Sequence, residues 1–170
     1  MKRRLSREDV DVRATFLRRP SAHNKSPYVG DIQLEDGSVK IVHMPAMDMG
    51  GKCHKGVKCL VIPILDKEGK EIEDGTLGGQ YNKPVCQYKM KLVQCYEPEN
   101  TYCNGTWILA NPSLSESIFQ EIVEKKLCRA FEKYNVLKAQ FSVPDTNMRS
   151  DFLLQCNSIK HIVEVKIVVD

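Results

Sequence analysis

Short runs of apolar residues, separated by glycine, proline and polar clusters, dominate the chain up to Ala110, and their period is that of strands. The first run, residues 12–17, stops at Arg18-Arg19-Pro20, where proline and the polar stretch to Pro27 make a cationic loop. Runs at 28–34 and 39–44 flank Glu35-Asp36-Gly37-Ser38, whose Asp-Gly supplies the positive φ of a tight hairpin. A glycine-bearing loop, Gly50-Gly51-Lys52-Cys53-His54-Lys55-Gly56, precedes the next run at 57–64. Residues 66–83 are polar and glycine-rich, too poor in apolar side chains to offset the entropy of ordering, and read as a mobile excursion. Runs at 85–96 and 107–110 complete a series of strands without a helix. That pattern predicts a small closed or partly open β-barrel of OB-like type.

The period changes after Asn111. Ser115 is placed to cap a helix in which Ile118, Phe119, Ile122, Val123 and Leu127 recur at helical spacing opposite Glu121, Glu124, Lys125 and Lys126. Residues 139–143 read as a strand ending at Pro144, and two more apolar runs close the chain, Asp151-Phe-Leu-Leu-Gln155 and His161-Ile-Val-Glu-Val-Lys-Ile-Val-Val169. Residues i and i+2 of a strand share a face, so Glu164 and Lys166 lie together while Val163, Val165 and Ile167 take the other side. An all-β domain over residues 1–104 is thus followed by an α+β domain over residues 105–170.

A chain of 170 residues with 42% hydrophobic content is long enough for real cores. The net charge of +3 makes a weak overall field, so nucleic-acid contact requires a local basic patch. Arg18, Arg19, Lys25 and Tyr28 gather such groups around the first loop, and Arg149 adds another beside Asp151. Seven cysteines, an odd number, together with no signal-like or membrane-spanning stretch, predict reduced thiols in an intracellular, reducing compartment and no membrane association. Cys53, His54 and Cys59 form no CxxC pair and read as ordinary side chains rather than a zinc site.

Strand spacing brings Asp151 of one strand beside Glu164 and Lys166 of the next if the two pair, at the ~5 Å separation of neighbouring strands. Two carboxylates and an ammonium are the make-up of a divalent-metal phosphodiesterase site. Asp151 and Glu164 would hold Mg²⁺ through oxygens, and Lys166 would orient or deprotonate the attacking water or steady the developing charge. The same spacing describes an amphipathic hairpin with a solvated Glu/Lys face.

Taken in order, these motifs resemble those of the sugar fermentation stimulation protein A (SfsA) family, from about residue 12 to the C-terminus. Phe16-Leu-Arg-Arg-Pro20 and Tyr28-Val-Gly-Asp-Ile32 are similar to its arginine-rich first strand and turn, and His43-Met-Pro45 with Gly50-Gly51-Lys52-Cys53 to its His-x-Pro loop. Trp107-Ile-Leu-Ala-Asn111 resembles the approach to its helix, with the family's helix glutamate falling on Glu121. Met148-Arg-Ser-Asp-Phe-Leu-Leu154 and Glu164-Val-Lys166 are similar to its Ser-Arg-x-Asp-Phe-Leu-Leu and Glu-Val-Lys signatures. The resemblance implies an N-terminal OB-like barrel and a C-terminal α+β PD-(D/E)xK nuclease-like domain. It further implies Mg²⁺ or Mn²⁺ on Asp151, Glu164 and Glu121, Lys166 as the catalytic cation, and binding of DNA, or RNA, with little sequence preference.

There are departures. Ala46-Met47-Asp48-Met49-Gly50 stands where the family has an Asn-Thr-Gly loop, Met148 replaces a serine, and Pro112 follows Asn111. Family members continue past Glu-Val-Lys, whereas this sequence stops at Asp170, so the second domain reads as truncated after its third strand. The apolar edge so exposed predicts cover by a further segment, a second copy or a partner. A non-catalytic DNA-binding or regulatory protein with a vestigial nuclease-like domain is the alternative.

Overall fold

Alternation along the first strand sets the barrel. In a computed structural model that describes residues 11–46, 49–78, 82–95 and 105–166, β1 (Val12–Arg18) turns Ala14 and Phe16 inward and Arg13 and Thr15 outward. It pairs antiparallel with β2 (Val29–Leu34) and with β4 (Lys58–Pro63). Between these, β2 turns into β3 (Val39–His43) at the predicted hairpin, where Gly37 has φ 85° and Asp36 accepts the Ser38 N–H at 2.8 Å.

A polar segment follows β4. Asp66 accepts the N–H groups of Glu68 and Lys70 at 2.8 and 2.9 Å, Leu65 bridges to Glu71, and β5 (Leu77–Gly78) pairs with β6 (Lys83–Pro84). Lys40 reaches Asp74 at 2.6 Å, and Gln87 donates to the same carboxylate at 3.3 Å. The described part of residues 66–83 is therefore tied down, contrary to the mobile excursion predicted. Counting apolar side chains missed that carboxylates and turn N–H groups also hold backbone in place.

β7 (Tyr88–Gln94) pairs antiparallel with β4 and, through Val42↔Tyr88 and His43↔Lys89, parallel with β3. This closes the five strands β1, β2, β3, β7 and β4 into an OB-like barrel, with β8 (Trp107–Leu109) pairing Leu92–Gln94 of β7, beyond the residues that β3 engages. Phe16, Ile32, Val42, Met44, Cys59, Val61, Met90 and Val93 fill the interior. Because β8 belongs to this sheet, the chain divides into its two compact units at Asn111 and Pro112 rather than at residue 104.

The second unit is helix, then three strands. α1 (Pro112–Glu124) begins ahead of the predicted cap, since proline is suited to a first helical turn, where its missing N–H leaves no bond unmade. Ser115 lies inside the helix and donates to the Pro112 carbonyl at 2.6 Å. Leu127, assigned by period to the helix's apolar face, lies past its end and is exposed. β9 (Tyr134–Ser142), β10 (Arg149–Cys156) and β11 (Ile159–Val163) form an antiparallel sheet with β10 central. Strand β9 starts at Tyr134 rather than 139, because Tyr134 and Val136 belong to the packed face. Val123, Phe152 and Leu154 are buried there with Phe119, Phe131, Val163 and Val165 around them, and the Phe119 ring meets Phe131 edge-on and Phe152 at a tilt, at centroid distances of 5.1 and 5.3 Å. Among the described residues no helix is long and apolar enough to cross a membrane.

Candidate functional site

On β10, Ser150, Phe152 and Leu154 are buried, so Asp151 points to the opposite face, and Arg149, two residues earlier, shares that face. The β10–β11 ladder ends at Phe152↔Val163, and Glu164, Val165 and Lys166 lie just past the strand predicted to contain them. Val165 keeps to the packed face with Val163. Asp151 Oδ2 accepts the Val165 N–H at 2.7 Å. Lys166 Nζ donates to Glu164 Oε1 at 2.6 Å.

These contacts bring Asp151, Glu164 and Lys166 into one electrostatic group. The hydrogen bond that Lys166 donates to Glu164, then the charge of Glu164 and more weakly that of Asp151, raise the Lys166 pKa above its ordinary value. Lys166 is consequently an ammonium at neutral pH. In that form it can donate hydrogen bonds and carry positive charge, but it has no lone pair with which to take a proton from water.

Glu121 stands apart. It is paired with Lys125, just past the end of α1, the helix that packs through Phe119 and Val123 on the Phe152 face. Among the described residues no group of three or more His, Cys, Asp or Glu side chains converges. What remains for a cation is two carboxylates, each with one oxygen outside the bonds just given. That donor set fits Mg²⁺, which is commonly held by one or two carboxylates and keeps several waters.

The basic loop of the first unit is built on Asp31. This carboxylate is buried, and its Oδ2 accepts from Arg18 Nε at 2.8 Å and the Ala22 N–H at 2.9 Å, while Oδ1 has no partner among the described residues. Burial pushes its pKa up, but the Ser21 hydroxyl, the Ala22 N–H and the Arg18 guanidinium together hold it below the usual value. Arg19 Nη1 donates to the Ala46 carbonyl at 2.8 Å. Both arginines thus fasten the loop to the barrel, with most of the Arg18 side chain still in solvent at 61% exposure. Lys25 and Tyr28 are exposed on the same loop, where Asn24 and Ser26 side chains accept the Ser26 and Tyr28 N–H groups. Arg149 belongs to the other unit.

His43 is half-buried, and desolvation followed by the charge of Lys89 lowers its pKa. Burial pushes the Cys53 and Cys86 thiols up to about 11 and that of Cys59 to about 12, with Cys59 Sγ set against the Ala14 carbonyl at 3.5 Å. Such thiols are poor nucleophiles and poor metal ligands at neutral pH.

Sequence reasoning missed a groove on the barrel. It has a volume of about 530 Å³, and Arg13, Thr15, Gln33, Lys58, Gln94 and Trp107 line it. No motif announces it, because its residues come from five strands and only the sheet register assembles them.

Among solved structures, the chain is similar to SfsA of Pyrococcus furiosus in complex with Ca²⁺, at 18% identity and a TM-score of 0.63, over 92% of this chain and 54% of that one. The chain has an SfsA-like fold. It spans about half the length of that SfsA structure. No family model and no curated protein matches the sequence. At this identity the likeness speaks for the SfsA-like architecture, including the closed OB-like barrel.

Proposed function

We propose that this protein binds nucleic acid, principally DNA, and hydrolyses its phosphodiester bonds with Mg²⁺ or Mn²⁺ at Asp151, Glu164 and Lys166. The observation that carries the reading is the Lys166 ammonium, held 2.6 Å from Glu164 and in the field of Asp151 on one face of the sheet. A divalent cation on Asp151 and Glu164 would supply positive charge against the scissile phosphate and acidify an attacking water. Lys166, protonated throughout the neutral range, donates to a phosphate oxygen as negative charge develops there. Asp151 is held in place for its role by the Val165 N–H. Arg149, on the same face, adds a second cation for the backbone. On the barrel, Arg18, Arg19 and Lys25 supply phosphate contacts and Tyr28 a ring for stacking.

A second reading, binding without hydrolysis, is favoured by a different observation. Glu164 already has an ammonium partner, and Glu121 is engaged by Lys125. One experiment separates the two. Labelled DNA is incubated with wild-type protein and Mn²⁺ or Mg²⁺, alongside Glu164→Gln and Lys166→Ala. Metal-dependent cleavage lost in both variants supports the nuclease. Binding that weakens steeply with salt, with no cleavage under any metal, supports the binder. A protein that neither binds nor cleaves DNA or RNA defeats both.

A further inference from the structure

The register of the barrel places five residues in a single row. Thr15 of β1 stands opposite Gln33 of β2 and Lys58 of β4. Cys59 pairs with Val93, which sets Lys58 beside Gln94 of β7, and Gln94 stands opposite Trp107 of β8. Directly opposed residues project to the same face. Thr15, Lys58 and Gln94 each alternate with buried neighbours, so that face is the outside of the barrel. The row Gln33, Thr15, Lys58, Gln94, Trp107 therefore crosses five strands at right angles to them. Four interstrand steps make it about 19 Å long.

We infer that this row is a binding track for single-stranded nucleic acid, separate from the basic loop and with Trp107 as its stacking platform. The inference rests on the nucleic-acid reading above and adds to it a place and a strand preference. Three observations support it. The row lies in the groove of about 530 Å³, and a second depression of about 450 Å³ adjoins it and shares Lys58 and Gln94. The two are lined by the cations Arg13, Lys58 and Lys55 against one carboxylate, Glu35, near the Gln33 end, which suits a polyanion.

The side chains in the row are also the right kinds for unpaired bases. Gln94 donates its amide N–H to the Gly105 carbonyl at 3.0 Å and Gln33 donates to the Gly37 carbonyl at 3.2 Å, which anchors both amides and leaves their oxygens for base edges. Lys58 donates one ammonium proton to the Thr15 hydroxyl at 2.9 Å and keeps two for phosphates. Trp107 is half-buried, so its ring is held by the sheet while part of it meets the groove. Bases in a duplex are stacked on each other and cannot use such a ring, whereas bases of a single strand can. A track of this length accommodates about four nucleotides, the low end of the range for one OB-like barrel.

Trp107 is the only tryptophan in the chain, so its fluorescence reports on the track directly. The test is a fluorescence titration of the whole protein with a short oligothymidine, and with a duplex of equal length, paired with anisotropy of the labelled nucleic acid. The expected result is saturable quenching of Trp107 by the single strand, tighter than any duplex response. Lys58→Glu, an exposed change that leaves the core alone, should weaken single-strand affinity by about tenfold or more, and Trp107→Ala by a similar factor. If anisotropy shows binding while Trp107 emission stays constant and Lys58→Glu binds as wild type does, the track is wrong and the nucleic-acid reading stands on the loop alone. If the duplex binds more tightly than the single strand, the strand preference is overturned. If nothing binds, this inference and the proposed function fall together.

Discussion

Asp151 Oδ2 accepts the N–H of Val165 at 2.7 Å, so a side chain carries the β10–β11 connection beyond the point where the main-chain ladder stops at Phe152↔Val163. That bond positions Val165 on the packed face and with it the flanking Glu164 and Lys166 on the other. Structure and chemistry can be separated at this residue. Asp151→Asn keeps a side-chain oxygen for the Val165 N–H while removing the charge, and Asp151→Ala removes both. Hydrogen exchange at the Val165 amide should stay slow in Asp151→Asn and accelerate by roughly tenfold in Asp151→Ala, the equivalent of a hydrogen bond worth about 1.4 kcal/mol. Under the proposed hydrolysis, cleavage of DNA should fall in both. Equal exchange in Asp151→Ala and wild type would show that the contact does not hold this segment.

Gly30 is a close approach rather than a turn. A methyl group at this position would sit 2.8 Å from Met44 Sδ, 2.9 Å from the Arg18 carbonyl and 3.1 Å from Phe16 Cε2. Met44 can adjust, but the Arg18 carbonyl is main chain at the end of β1, next to the bulge between Phe16 and Arg18. Gly30→Ala is expected to cost about 1–3 kcal/mol by overpacking. Urea unfolding should show a lower midpoint with an unchanged slope. An unchanged midpoint would mean that the bulge absorbs the added methyl.

Asp31 sets an acid limit on the barrel. Its pKa is lower in the folded protein than in the unfolded chain, so its contribution is complete above the unfolded value, near 3.9, and is lost as pH falls through the folded one. Half-buried His43, also lowered, adds to the loss from about pH 6.5 downward, since the unfolded imidazole takes up a proton first. Stability measured from about pH 7 down to about pH 3 should decline in two stages. Asp31→Asn should cost about 1–2 kcal/mol at neutral pH and flatten the lower stage, because the bond to Arg18 is partly solvent-screened while that to Ala22 is not. A lower stage of the same size in Asp31→Asn would assign it to another carboxylate.

Much of the local structure was legible in the residues. Alternation in residues 12–17 and 85–96 marked barrel strands, Asp36-Gly37 marked the hairpin, and Phe119 with Val123 marked the helix that covers the second sheet. The placement of Glu164 and Lys166 on one face also followed from sequence, since the two-residue period of extended backbone decides it, whereas Asp151 joins that face only through the register of β10 on β11. Errors came where the deciding partner lies far along the chain. The order found in residues 66–78 depends on Lys40 and Gln87, the start of β9 on Phe131 and the helix, and the commitment of Arg18 on Asp31.

The sequence by itself therefore determined which segments extend or coil and which face of each is apolar, because those properties depend on residues within a few positions of one another. Only the tertiary structure decided the parallel closure of β3 on β7, the tie of the Asp151 carboxylate to the Val165 N–H, and the row from Gln33 to Trp107. Each of these depends on register between distant segments. A shift by one residue would reverse every face involved, and the packing of the two cores, not any local pattern, selects among the registers.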